Sequence, residues 1–464
     1  MHHSDPIAPV IFGVTLILSA ALIGRYGARR LGQPSVLGEL LIGILLGNFL
    51  VCCGFDLMLI LREGTACLEM VSLTLGGLPW DEAAERVMGP TGAQFLALLR
   101  GPHGAEYIQI AQAVDVFSRY GVIFLLFHVG LDTCVAELRH VGADSLRVAV
   151  IGVAFPFLLG FLVALLIDPL GSYAEHLFLG AALGATSIGI TARVLSDLDQ
   201  TRSGEAHVIL GAAVMDDVLG LVLLAIVSGI AVTGGFAYGE TFRIIALAGL
   251  FITAVLLGGK YIVRALVRTM RRLDVLEAKL FISFLFVMTL SWAANLVGLA
   301  TIVGAFAAGL LLLDSHFNLW GDHRQHKYSI KELFAPLEAI LVPIFFVLMG
   351  IQVKLEAFLD LHVLSLALGL IGAAVAGKLV AGLGAGRSNG LNRLAIGIGM
   401  MPRGEVGLVF ASIGKSLEVI DSSMFSAVVL MVVATSLATP PLLKLVLDRG
   451  ARPAVPEPRA RPCE

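Results

Sequence analysis

Long apolar runs, parted by short polar breaks, dominate this chain. Windows of roughly 20 apolar residues, the length a helix needs to cross a bilayer, recur from end to end. They predict about thirteen spans, near 7–28, 35–51, 114–134, 147–168, 175–196, 205–232, 243–263, 276–297, 299–313, 334–352, 362–385, 392–414 and 423–446. The ninth is short, and the NLVGLAT link before it predicts a sharp turn. The pattern reads as an all-α polytopic membrane protein. Two stretches break it. Residues 52–112 mix Gly, Pro and both charges, and their pieces FLALLR and IQIAQAV are amphipathic, so short helices lying on the membrane surface are expected there. The Pro- and Arg-rich ARPAVPEPRARPCE end is expected to be disordered.

Charge is distributed unevenly between the two sets of connections. One set carries Arg25, Arg29, Arg30, Arg139, Arg202, Arg264, Arg268, Arg271, Arg272, Arg324, Lys327, Lys331, Arg387, Arg393, Arg449, Arg452, Arg459 and Arg461. The short loops of the other set carry little beyond Lys354 and Lys415. Arginine and lysine accumulate on the cytoplasmic side of a membrane protein. The N-terminus is therefore expected outside and the C-terminus inside, as an odd number of spans requires, in a bacterial inner membrane.

Composition narrows the picture further. The chain has 464 residues, 57% hydrophobic and only 14% charged, where soluble domains average about 25% charged. A soluble enzyme is excluded. A net charge of −3, with no basic arm, gives no sign of a nucleic-acid partner. The opening MHHSDP lacks the charged n-region of a signal peptide, so the first apolar run is expected to be retained. Cysteines 52, 53, 67, 134 and 463 form no CxxC pair, which argues against a structural metal site; Cys53 and Cys67 either pair or stay free thiols. His316, His323 and His326 share one connection that reads as a solvated loop rather than a metal or pH-sensing site.

The candidate chemistry lies where charge interrupts the apolar runs. Asp216 and Asp217 sit together in GAAVMDDVLGLVLLAIV. One charge at that depth costs at least about 2.5–3.5 kcal/mol, and a like-charged neighbour adds to it. Such a pair is usually there to bind a cation, carry a proton, or both. Thr186, Ser187, Gly184 and Gly189 cluster in the fifth span; they either let helices pack closely or mark a broken helix whose carbonyls face a cavity. In the twelfth span Pro402 interrupts the helix, lacking an N–H and clashing with the preceding turn. Arg403 and Glu405 follow it, either at a break within the membrane or at a helix end near its surface. Lys378, deep in the eleventh span, either snorkels to the edge or meets Asp216 or Asp217. Glu39 and Glu338 read as structural groups near the cytoplasmic face. The fifth and twelfth spans are seven apart and so run in opposite directions, as two inverted repeats joined by a linker span would place them. Interrupted helices at matching positions of two repeats point to a transport site near the midplane. The chain is accordingly divided into the first two spans (1–51), an extracytoplasmic insert (52–112), core helices of the first repeat (113–233), a linker helix (234–275), the second inverted repeat (276–447) and a cytoplasmic tail (448–464).

Taken in order, GATSIGITARVL, ILGAAVMDDVLGLVLL, VPIFFVLMG, GKLVAG and MPRGEVGLVF resemble the monovalent cation:proton antiporter-2 family, and within it NapA-type sodium/proton antiporters. The resemblance covers the chain apart from 52–112 and the tail. It implies two crossing broken helices, a core that moves like an elevator, a fixed dimerisation domain and hence a homodimer. It makes Asp217 the ion-binding carboxylate and Asp216 the salt-bridge partner of Lys378. It places Thr186 and Ser187 at the first crossing point, and Arg403 with Glu405 as the charged pair of the second. Kef-type potassium efflux proteins of the same family usually have Gln-Asp in place of Asp-Asp and carry a cytoplasmic nucleotide-binding domain; this sequence has Asp-Asp and no such domain is read in it. The expected cargo is Na⁺, a hard cation suited to oxygen ligands, exchanged for H⁺ without a cofactor. Membrane lipid and small monovalent cations are the expected partners. Neighbouring helical residues point about 100° apart, so one aspartate can meet the lysine while the other meets the ion. A second proton carried through Asp216 and Lys378 would make the exchange electrogenic. The alternatives are an electroneutral K⁺/H⁺ exchanger on the same scaffold and, from another class, a gated cation channel.

Overall fold

The computed structural model describes the chain except residues 1–6, 64–69, 71–72, 89–91, 133–134, 170, 234–237, 270–274, 298, 300, 313–316, 318–327, 354, 357–359, 387–389, 405–406, 408–409, 412, 415–416, 418 and 451–464. Its regular elements are helices: α1 (Ala8–Arg30), α2 (Ser35–Cys52), α3 (Asp56–Glu63), α4 (Trp80–Met88), α5 (Gly92–Leu99), α6 (Gly104–Asp132), α7 (Val135–Ile167), α8 (Tyr173–Ala182), α9 (Ile188–Asp197), α10 (Gly204–Thr233), α11 (Tyr238–Thr269), α12 (Val275–Leu296), α13 (Thr301–Leu311), α14 (Ile330–Ile351), α15 (Leu361–Gly382), α16 (Arg393–Gly399) and α17 (Ser422–Gly450). Among the described residues, nine helices are long and apolar enough to cross a bilayer, and a pair bent by 51°, Gly249–Gly259 with Tyr261–Thr269, would make a tenth. The expected span near 175–196 is broken into pieces too short to cross alone, that near 392–414 is interrupted after the short α16, and that near 299–313 is the short α13.

Helix starts follow local chemistry. Ser172 and Ser329 form capping boxes with Glu175 and Glu332, each side chain meeting the other residue's backbone N–H. Asp360 accepts from the N–H groups of His362 and Val363 at the start of α15, and Asn392 accepts from Ala395 at the start of α16. Lipid offers no hydrophobic drive between helices, so close approach depends on small residues. Gly24 and Gly38 face each other across α1 and α2, and a Cβ on either would run into the other's carbonyl. Gly130 and Gly309 bring α6 and α13 together in the same way, a Cβ on them running into the carbonyls of Phe306 and Phe127 respectively.

The helices sort into two packed bundles. One holds α7, α8, α9, α10, α15, α16 and α17; the other holds α1, α2, α6, α12, α13 and α14, with α11 running between them. The bundles meet largely where α9 lies against α2 and α6, and where α17 touches α2.

Two expectations at the insert are corrected. IQIAQAV is not a separate surface helix; it is part of α6, which begins at Gly104 rather than near 114, so the boundary drawn at 112 cuts through one helix. Likewise α7 begins at Val135 rather than near 147. Polar residues such as Glu and Gln continue a helix as readily as apolar ones, so a helix outlasts its apolar window. FLALLR lies within α5 and its end, but Phe95 and Leu96 are buried against Ile60, Ala83 and Ala84, with Tyr107 and Ile108 of α6 covering them. The insert thus has a small core of its own. Arg62 of α3 ties it to Glu356, beyond the end of α14. Cys52 and Cys53 are free and exposed. Cys67, Cys134, Cys463 and the three loop histidines 316, 323 and 326 lie outside the described residues.

Candidate functional site

The fifth span does not continue as one helix. α8 ends at Ala182, the backbone leaves helical geometry, and α9 restarts at Ile188 with Ser187 extended (φ −86°, ψ 109°). The twelfth span breaks after Gly399: residues 401–404 are non-helical, and helical backbone is present again at Gly407. Pro402, which has no N–H to give, sits in that gap. The broken segments complete each other. Ser187 N–H donates to the Pro402 carbonyl at 2.9 Å. Thr186 Oγ1 donates to the Met400 carbonyl at 3.3 Å, and Thr191 Oγ1 to that of Gly399 at 2.6 Å. Ser436 Oγ, on α17, donates to the Arg403 carbonyl at 2.5 Å. A break in lipid leaves backbone groups that must be satisfied inside the protein, and these cross-bonds do so.

Three ionisable side chains around the crossing are fully buried: Asp216, Lys378 and Arg403 each show 0% exposure. Lys378 does not snorkel. Its Nζ lies 3.3 Å from Asp216 Oδ2 and donates to the Gly184 carbonyl at 3.3 Å. Gly152 of α7 makes room for it, since a Cβ there would stand 3.1 Å from Nζ. Arg403 does not lie at the membrane surface either. Its Nη1 donates to the carbonyls of Gly184, at 3.4 Å, and Ala185, and approaches Thr186 Oγ1 at 3.4 Å. Two cations therefore converge on the carbonyls just past the C-terminal end of α8, the negative end of its dipole.

Asp216 Oδ1 and Ser187 Oγ are buried without a hydrogen-bond partner among the described residues. Asp217, about 100° further round α10, is only partly buried and so faces elsewhere than Asp216. The structure thus brings together Asp216, Lys378, Thr186, Ser187 and Arg403, with Asp217 adjacent on the same helix. Glu405, the expected partner of Arg403, lies outside the described residues. The arrangement offers a hard cation carboxylate and hydroxyl oxygens in one place, and a carboxylate that can take a proton instead of the cation.

The sequence reading passed over one group of residues. Arg193 and Asp197 on α9, with His128 on α6, form a second buried charged cluster around Glu338. Arg193 within an otherwise apolar run was the available signal.

Comparison with known proteins places this architecture. A family model described as sodium/hydrogen exchanger, transmembrane, matches residues 82–448. The high-affinity Na(+)/H(+) antiporter NhaS3 of Synechocystis is 33% identical over 463 residues, 97% of this chain and 92% of that protein. The Na(+)/H(+)-K(+) antiporter GerN of Bacillus cereus is 30% identical, over 93% of this chain and 95% of the relative. The solved structure of the sodium proton antiporter MjNhaP1 from Methanocaldococcus jannaschii superposes with a TM-score of 0.58 at 17% identity, covering 96% of this chain and 100% of that one. That last likeness is one of fold.

Proposed function

The chain belongs to the sodium/hydrogen exchanger family, and from that premise we propose that it loads Na⁺ or protons in turn on Asp217. It is an integral membrane transporter that exchanges a monovalent cation for protons; it is not an enzyme and needs no cofactor. One observation carries the residue assignment: the buried Asp216–Lys378 pair at the crossing of two broken helices, with the less buried Asp217 beside it. Asp216 pairs with the lysine, and Asp217, next on α10 and less buried, is the carboxylate assigned to the cation. Thr186 and Ser187 supply further oxygen. Sodium and proton compete for one group, and the site crosses only when it holds one or the other.

The bundle that contains the site is the moving part in this reading, and the bundle of α1, α2, α6, α12, α13 and α14 is the fixed part, paired with a second copy in a homodimer. The positive-inside pattern supports an N-terminus outside and a C-terminus in the cytoplasm of a bacterial inner membrane. The cycle is electrogenic. When Na⁺ binds, Asp216 turns from Lys378 to the cation, and an unpaired ammonium at that depth is costly. Its proton leaves, to return when the pair re-forms. Two protons then move against one Na⁺.

Proteoliposome flux tests this directly. Wild-type protein is expected to release protons when Na⁺ is added, and Asp217→Asn to abolish that release while keeping its fold. Substantial flux in a folded Asp217→Asn protein would remove Asp217 from the site. A second reading is electroneutral K⁺/H⁺ exchange; its K⁺ is favoured by the relative GerN, a Na(+)/H(+)-K(+) antiporter. The same assay run with K⁺ separates the two.

A further inference from the structure

The second charged cluster lies near the ends of its helices that adjoin the arginine-bearing connections, away from the crossing. Arg193 and Asp197 stand one turn apart on α9, Nε to Oδ1 at 3.3 Å. Glu338 of α14 places Oε1 3.4 Å from Arg193 Nη1 and Oε2 2.6 Å from His128 Nδ1 on α6. Ser35, opening α2, donates its backbone N–H to Asp197 Oδ2 at 2.8 Å. Glu39, fully buried one turn further along α2, is held by Arg25 of α1 at 2.8 Å. Arg193 and Glu338 are 6% and 7% exposed.

Membership decides what this cluster can do. Arg193 and Asp197 belong to the bundle that holds Asp216, Asp217 and Lys378. Glu338, His128, Ser35, Glu39 and Arg25 belong to the other. The contacts therefore cross the junction of the bundles. They also sit on α9, whose first turn follows Thr186 and Ser187. A single rigid half-helix of about 15 Å thus joins the crossing at one end to a charged tie at the other.

The geometry points to Arg193 as a positioning residue for exchange: through Glu338 and, by way of Asp197, Ser35, it holds α9 against the second bundle and keeps the site closed to the arginine-rich face. The site reaches that face when these contacts part. The inference rests on the exchange reading. Buried charges suit such a tie because each is compensated while the contact stands, and separated partners must be rewetted, which makes two discrete states instead of a continuum. Glu338→Gln or Arg193→Gln weakens the closed state, so a larger fraction of molecules presents the site to the arginine-rich face. Apparent affinity scales with the competent fraction.

The test uses the full chain in oriented proteoliposomes, with Na⁺ varied on one side and then the other. Glu338→Gln and Arg193→Gln are each expected to lower the apparent KM at the arginine-rich face relative to the opposite face by about threefold or more, while Arg193→Lys, which keeps the charge, stays near wild type. Backbone amide exchange over residues 188–197 should quicken in both Gln variants. Unchanged KM ratios and unchanged amide protection in folded Glu338→Gln and Arg193→Gln proteins would overturn the proposal. So would a Glu338→Gln protein that cannot fold, since the contact would then be structural support. A wild type that exchanges no cation for protons would defeat the exchange reading, and amide exchange would still judge the tie.

Discussion

Two buried ion pairs in this molecule look alike and differ in what they join. Asp216 and Lys378 sit on α10 and α15 of one bundle, 3.3 Å apart and both at 0% exposure. Arg193 and Glu338 sit on α9 and α14, in different bundles, at 3.4 Å. A pair within one bundle stays together however the bundles shift, so its chemistry changes only when a proton or a cation arrives. A pair across the junction breaks by movement alone. In the proposed cycle the first belongs to what is carried, and in the proposed tie the second to where the site faces. Losing a charge from the first should change how many charges exchange moves, and losing one from the second should only re-weight its two sides.

The largest effect expected is at Asp217. If Asp217 holds the cation, Asp217→Asn takes away that ionic ligand and should lower flux by at least about 100-fold. Residual flux comparable to that of Glu338→Gln would erase the distinction between the two clusters. Proton release measured side by side in both variants decides it.

Next comes stability at the inner pair. Asp216→Asn leaves an ammonium buried with no full counter-charge, a loss of about 3 kcal/mol or more, whereas Asp216→Asn with Lys378→Gln removes both charges and should recover most of it. Unfolding in detergent, followed through a double-mutant cycle, measures the difference. Additive losses would mean that the 3.3 Å contact carries no coupling.

Much of the inner site was legible because charge inside an apolar run is conspicuous. Asp216, Asp217 and Lys378 each interrupt a span, and Pro402 marks its own break. What one chain of letters does not show is which distant residues meet. Thr191 and Gly399, bonded at 2.6 Å, lie 208 residues apart, and nothing local to either names the other. Arg193 escaped notice for a different reason: with Asp197 one turn on, it resembles the polar end of a span, and its tie to Glu338 needs the fold. The insert misled through periodicity. IQIAQAV is amphipathic because α6 packs Ile110 and Val114 with Ile17, Met58 and Ile344, and Ile108 on Phe95 and Leu96, and an amphipathic period cannot distinguish a protein neighbour from a lipid surface. Helix ends were misplaced where polar residues extend a helix past its apolar window, as Gly104 shows for α6.

A third effect concerns voltage. If Lys378 carries the second proton, wild-type flux should respond to an imposed potential, which contributes about 2.3 kcal/mol per elementary charge per 100 mV. Lys378→Gln removes that proton, so any remaining flux should be nearly indifferent to a valinomycin-clamped potential. The cross-junction variant Glu338→Gln should keep the wild-type voltage response, because it changes which side the site faces and not how many charges travel. A wild type unmoved by voltage would overturn the two-proton cycle and favour electroneutral exchange.

The smallest effect is expected at a third ion pair, which joins neither the site nor the junction. Arg62 of the insert meets Glu356 just beyond α14, so both partners belong to the second bundle and its attachments. Glu356 is 60% exposed, and an ion pair with one partner in solvent contributes little, about 1 kcal/mol or less. The insert also keeps its own apolar core of Ile60, Ala83, Ala84, Phe95 and Leu96 against α6, so it stays folded when the pair is lost. Arg62→Gln should therefore lower the unfolding midpoint slightly, or weaken association of two copies, and leave the preferred cation and the ratio of KM values at the two faces unchanged. That outcome separates it from Arg193→Gln, which should move the ratio. A change of preferred cation in folded Arg62→Gln protein would put the insert in the ion's path and end its reading as a peripheral cover.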